Sequence, residues 1–173
     1  MKLTTSFFFV ILTTFFLLQI NKVESADLID KACGTARFKA YCEATLRSHP
    51  NSKNADLHGL AKISLQLAQG NATAIHDQVS KLLKTSTDKS IKPALKDCLK
   101  NYQDARDQLN AAMPALDSKQ YFDVNSKATA AVNDAYSCES GFEKGKSPLS
   151  NFNTIFNRLC TIVLGVANRA AGH

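Results

Sequence analysis

The sequence predicts an all-α protein built as an antiparallel up-and-down four-helix bundle, and three observations point there. Apolar residues recur at helical spacing through most of the chain, and almost nothing alternates with period two. Four amphipathic segments of roughly 20 to 30 residues follow one another through short connections. Several inner positions are alanine, small enough for helices to approach closely.

The first 25 residues are a different kind of segment. Met1-Lys2 gives a short positive start, Phe7 to Leu18 is a nearly continuous apolar run, and Val23-Glu24-Ser25 precedes Ala26 with modest side chains. This pattern predicts a secretory signal peptide over 1–25. The run is shorter than the roughly 20 residues that span a bilayer, and no second one follows, so no membrane association is expected of the mature form. Setting aside Met1 to Ser25, with Lys2, Lys22, Glu24 and five of the ten Phe, leaves residues 26–173. Those 148 residues carry 19 basic and 14 acidic side chains, formally +5, and make one domain.

The elements can be justified in order. Ala26 to Pro50 reads as short helical pieces around the first two cysteines. Asp56 can cap a helix carrying Leu60, Ile63, Leu67, Ile75, Val79 and Leu82, with a possible kink at Gly70. Leu95, Cys98, Tyr102, Ala105, Leu109 and Ala112 fall within about 100° on a helical wheel, after Pro93 in the first turn and up to Pro114 as terminator. Asp117-Ser118 reads as the opening of a third helix with Val124, Ala128, Ala131 and Ala135 inside, closed by the loop from Glu139 to Lys146. Ser147 before Pro148 marks the start of the last helix, which carries Leu149, Phe152, Phe156, Leu159, Cys160, Val163 and Val166.

Export is oxidising, so the five cysteines are expected mostly as disulfides. Two bridges can be chosen among Cys33, Cys42, Cys98, Cys138 and Cys160 in fifteen ways. The nine-residue spacing of Cys33 and Cys42 suits a local helical hairpin, and Cys98 and Cys138 occupy comparable places in two later helices, which narrows the choice. Metal binding is not expected: no two Cys are two to four residues apart, and His49, His58, His76 and His173 pair with none of them at ligand spacing. Nor is there a Gly-x-Ser-x-Gly elbow, a His-Glu-x-x-His motif or a phosphate loop. No catalytic residue and no cofactor are predicted. His58 and His76, 18 residues apart, read as solvated or core-edge side chains. The lysines are dispersed, which argues against nucleic acid as a partner. Asn71-Ala72-Thr73 is a glycosylation acceptor pattern.

Five segments, taken together, carry a resemblance. They are the run from Asp27 to Cys33 with its spacing to Cys42; Ala55 to Ala61; Cys98 to Asp107; Ser137 to Phe142; and Leu159 to Leu164. In order and spacing the chain resembles the plant invertase and pectin methylesterase inhibitor family, over essentially the whole mature protein. Ala55 to Ala61 is most similar to a subgroup that includes pollen allergens described as invertase inhibitors. The resemblance implies a four-helix bundle with an N-terminal helical hairpin, bridges Cys33–Cys42 and Cys98–Cys138, and Cys160 as a free thiol. It also implies an apoplastic, cell-wall protein that performs no reaction and covers the carbohydrate-binding cleft of a wall enzyme in a stoichiometric complex.

Toward pectin methylesterases, such inhibitors use acidic and hydroxyl residues on the second and third bundle helices; Asp104, Asp107 and Ser137 match such positions. Lys100 and Ser140 stand where inhibitors of pectin methylesterase can carry acids. Ser118 to Phe122 replaces the Pro-Lys-Phe turn frequent in inhibitors of acid invertase. The expected partner is a pectin methylesterase, with an acid invertase as the alternative. A secreted small-ligand carrier or signalling bundle is a more distant one.

Overall fold

A computed structural model describes residues 28–34, 36–143 and 147–173. The predicted signal peptide therefore lies outside the described residues. Residues 28–33 are helical, followed by α1 (Lys39–Ser48) and a 3₁₀ turn (Pro50–Asn54). The bundle is α2 (Leu57–Thr85), α3 (Lys92–Asp117), α4 (Tyr121–Ser140) and α5 (Ser150–Ala170). Each bundle helix packs against two neighbours, α2 on α3 and α5, and α4 on α3 and α5, as an up-and-down square requires. There is no strand among the described residues.

The helices form for the reasons their residues announce. The Asp56 side chain accepts a hydrogen bond from the Gly59 amide at 2.7 Å and caps α2. That helix runs through Gly70 without interruption. Leu95, Cys98, Tyr102, Ala105, Leu109 and Ala112 are all fully buried along α3, as are Val124, Ala128, Ala131 and Ala135 along α4. The short side chains of the α4 seam let neighbouring backbones approach. The diagonal is closed by large rings: Tyr102 of α3 meets Phe156 of α5 edge-on, with centroids 5.4 Å apart.

Three boundaries differ from the sequence expectation. Pro114 lies inside α3, which continues to Asp117. Proline removes the amide that would bond to the Asn110 carbonyl and its ring crowds that carbonyl, but Pro114 stands in the last turn and Asn110 is exposed, so the carbonyl can tilt out to water. Asp117 and Ser118 then end α3 instead of opening the next helix. The Lys119 amide bonds to Leu116 O and the Gln120 amide to Ala115 O, both at 2.8 Å, the two bonds of a Schellman motif. Lys119 occupies the left-handed position with φ 57°. The last helix begins at Ser150. Ser147 still accepts a hydrogen bond from the Leu149 amide at 3.2 Å, but as a turn ahead of the helix. Phe152, expected inside, is 38% exposed.

A lysine in the left-handed region carries a steric cost that glycine lacks. Lys119→Gly should stabilise the protein by about 1 kcal/mol, seen as a rise of roughly 2–4 °C in a thermal melt. A fall in melting temperature would show that the Lys119 side chain supports the turn in some other way.

Disulfides pin both ends of the architecture. Cys33–Cys42 closes the N-terminal hairpin, with Cα atoms 5.8 Å apart. Cys98–Cys138 joins the first turns of α3 to the last turn of α4, with Cα atoms 4.4 Å apart. The hairpin docks on α5 through Arg158, whose guanidinium lies 5.4 Å from the Phe38 ring centroid and 5.5 Å from that of Tyr41. Arg47 adds an ion pair to Asp30 at 2.5 Å.

Beside Cys98–Cys138 the core holds a polar network. The Tyr102 hydroxyl donates to Asn153 Oδ1 at 2.6 Å, and Asn153 Nδ2 donates to Glu139 Oε2 at 2.5 Å. Ser147 and Ser150 donate their hydroxyls to the same carboxylate at 2.9 and 2.5 Å. Three helices and the α4–α5 turn are thus joined through one satisfied carboxylate, the condition under which buried polar groups add rigidity. Burial raises the Tyr102 pKa far above its ordinary value, with the charges of Cys160 and Glu139 acting in the same direction, so the phenol remains a donor.

Candidate interaction face

The α3–α4 pair presents the face on which the sequence placed its candidate residues. On α3 the buried stripe points inward, Asp107 is exposed, and Asp104 is half-buried. Lys100 Nζ lies 3.1 Å from Asp104 Oδ2, one turn away on the same helix. Gln103 Nε2 donates to both Asp107 oxygens at 3.1 Å, and Arg106 Nη1 donates to Gln103 Oε1 at 3.3 Å. These are exposed intrahelical contacts. Each adds at most a few tenths of a kcal/mol, about 0.3–0.5 for a helical ion pair, but together they limit where the carboxylates point.

Antiparallel packing brings α4 into the same face. Ser137 is exposed, and its hydroxyl makes no hydrogen bond among the described residues. One turn before it stands Asp134, a residue the sequence did not single out. Its pKa is raised first by burial and then by the charge of Asp104, while Lys100 pulls it down. Asp104 and Asp134 are therefore electrostatic neighbours across the helix–helix groove, a relation invisible in a sequence where they lie 30 residues apart. Helical phase was the available signal: Asp134 flanks the stripe of Ala128, Ala131 and Ala135 on the side of α3.

The raised pKa has a sign in stability. A carboxyl shifted upward on folding is favoured in its neutral form, so its stabilising contribution is complete below the ordinary carboxylate pKa and is lost as pH rises through the folded value. Asp134→Asn should match the parent protein in acid and melt at a higher temperature near neutrality, with the gap opening as pH rises past the carboxylate range. Parallel melting curves for the two proteins across that range would place Asp134 outside the groove.

The other candidate residues lie elsewhere. Asn71 sits in the middle of α2, half-buried, with its Oδ1 buried and unpartnered, while Thr73 bonds back to Gln69 O at 3.0 Å. Cys160 is a buried free thiol whose pKa burial pushes well up, which leaves it protonated and unreactive. His58 Nδ1 is 3.2 Å from the Tyr121 hydroxyl, and His76 Nδ1 is 3.3 Å from Asp77 Oδ1. No cluster of three His, Cys, Asp or Glu able to hold a metal occurs among the described residues, and no helix there is long and apolar enough to cross a membrane.

A rigid, disulfide-pinned bundle that displays ordered carboxylates and hydroxyls on two adjoining helices is built as a protein-binding module. The comparisons agree with that class. A sequence model of the plant invertase/pectin methylesterase inhibitor family matches residues 27–166, and the chain belongs to that family. Its relatives include a "Putative invertase inhibitor" of Platanus acerifolia, 32% identical over 159 residues that cover 87% of this chain and 89% of the relative. A "Pectinesterase inhibitor" of Actinidia deliciosa is 33% identical over 148 residues, covering 84% and 80%. Among solved structures, a mutant form of a pectin methylesterase inhibitor from Arabidopsis superposes with a TM-score of 0.70 at 27% identity, over 79% of this chain and 92% of that one. Members of the family are inhibitors of enzymes and not enzymes themselves.

Proposed function

We propose that this chain is exported by cleavage near residue 25 to the plant cell wall. There its domain, residues 26–173, inhibits a pectin methylesterase by covering the active-site cleft with the α3–α4 face. The observation that supports the reading is that a family member carries Asp104 and Asp107 on α3 and Asp134 and Ser137 on the α4 helix packed beside it, with Asp104 and Asp134 interacting across the pair. The mechanism is occlusion. Cys98–Cys138 ties the two contact helices together before any encounter, so little ordering entropy is lost on binding. The carboxylates steer a positively charged partner and select its charge, acting on rate and specificity more than on affinity.

Acid invertase is the second reading, favoured by the Platanus relative's name at nearly the same identity as the Actinidia one. Titration of purified enzymes of both classes with the mature chain separates the two. Loss of pectin methylesterase activity at one-to-one stoichiometry is the expected result. Loss of invertase activity alone would transfer the face to the other target, and activity unchanged in both would remove the proposal.

A further inference from the structure

The carboxylates gather on the α3–α4 face, and the cations gather at one end of the bundle. Between residues 81 and 97 the sequence has Lys81, Lys84, Lys89, Lys92 and Lys96 against two acids, Asp88 and Asp97. Lys81 and Lys84 share a face in the last turns of α2, Lys89 lies in the connection, and Lys92 and Lys96 occupy the first turns of α3 one turn apart. Four of the five are exposed and Lys92 is half-buried. None makes an ion pair among the described residues, whereas Lys39, Arg47, Lys62 and Lys100 all do. The patch stops where Lys100 turns to Asp104. Helix electrostatics offers no reason for Lys92 and Lys96, since cations at a helix N-terminus are disfavoured and the first turn of α3 contains no acid.

The side chains between these lysines indicate what the patch fits. Thr85, Ser86, Thr87 and Ser90 are interspersed with them, while Leu82, Leu83 and Ile91 turn toward the core. No Phe, Tyr or Trp occurs between Tyr41 and Tyr102, so α2 and the first turns of α3 supply no such ring on which bases could stack among the lysines. Ammonium groups a helical turn apart among hydroxyls suit a polymer of regularly spaced carboxylates bearing many hydroxyl groups. We infer that the α2–α3 end of the bundle binds a polyuronate chain, the de-esterified carboxylated polysaccharide that a pectin methylesterase produces. The choice of this polyanion rests on the proposed function. The consequence is an inhibitor held on the product polymer, close to the enzyme that makes it, through a surface separate from the one that touches the enzyme.

Retention of the mature chain on immobilised polygalacturonate tests this without any enzyme. Binding should be strong at about 50 mM salt, fall steeply by about 200 mM, and be absent on fully methyl-esterified polymer, because each lysine that neutralises a carboxylate releases a counterion. Replacing Lys81, Lys84, Lys92 and Lys96 by Gln should weaken binding at least about tenfold. An equal change of charge elsewhere, Lys31, Lys39, Lys53 and Lys119 to Gln, should leave it within about twofold. Equal losses in the two variants would reduce the effect to net charge and overturn the inference. Equal binding to esterified polymer, or tighter binding to phosphatidylserine vesicles or single-stranded DNA, would overturn it as well. Inhibition assayed on the four-lysine variant should match the parent, so failure of the patch and failure of the inhibitory face are read separately.

Discussion

Replacing Cys98 and Cys138 together by alanine should lower the stability of the bundle by about 4 kcal/mol. The bridge spans 40 residues and closes a loop containing nearly all of α3 and α4. In the chain-entropy account, the open unfolded chain regains the freedom that closure removes, and the gain increases with loop length. Cys33–Cys42 closes only nine residues and holds the hairpin, whose Ile29, Ala32 and Leu46 are buried in the core. Its removal should loosen the hairpin around Arg158 and cost less, about 2.6 kcal/mol in the same account. The contrast between the two double variants in denaturant melts is the measurement. A loss below about 1 kcal/mol for Cys98 and Cys138 would mean that Tyr102, Asn153 and Glu139 already hold α3, α4 and α5 together without covalent help.

That network also shows where reading the sequence succeeds and where it stops. Stripes on one helix are local arithmetic: Leu95 to Ala112 and Val124 to Ala135 could be assigned to the core from spacing alone, and all are buried. The Asp56 cap is equally local and is present. Asn153 and Glu139 carry no such sign. Their role depends on a tyrosine 51 residues before Asn153 reaching it across the bundle diagonal, on Ser147 of the α4–α5 turn and on Ser150 at the start of α5.

Boundaries fail for a related reason. Pro114 stays within α3 because solvent can take the Asn110 carbonyl, and Ser147 forms a turn ahead of α5 instead of its cap. The end of α3 is set by Schellman bonds around Lys119, where a sequence reader would look for glycine. Phe152 follows the apolar period of α5 but stands in its first turn, at the open end of the bundle, where neighbours cover it only partly. The candidate face divides in the same way. Asp104 and Asp107 were recognisable on α3, and Asp134 was not, because its partner belongs to another helix.

Asp104→Lys combined with Asp107→Lys should slow association with a positively charged target enzyme at least about tenfold at low salt, and inhibition should weaken to match. The effect is kinetic because these carboxylates lie at a solvated surface, where they act over distance during approach more than through buried contact. Raising ionic strength toward about 1 M shortens the screening length to about 3 Å and should bring the variant and the parent together. Thermal stability should change little. The variant loses the exposed Lys100–Asp104 pair and relieves the repulsion between Asp104 and Asp134, and the two changes oppose each other. Asp134 then separates steering from contact. Burial raises its pKa, so Asp134→Asn should alter dissociation more than association if the enzyme covers the groove itself. Association with a positively charged target unchanged in the double lysine variant at low salt, in a chain that melts like the parent, would exclude the α3–α4 face as the inhibitory surface.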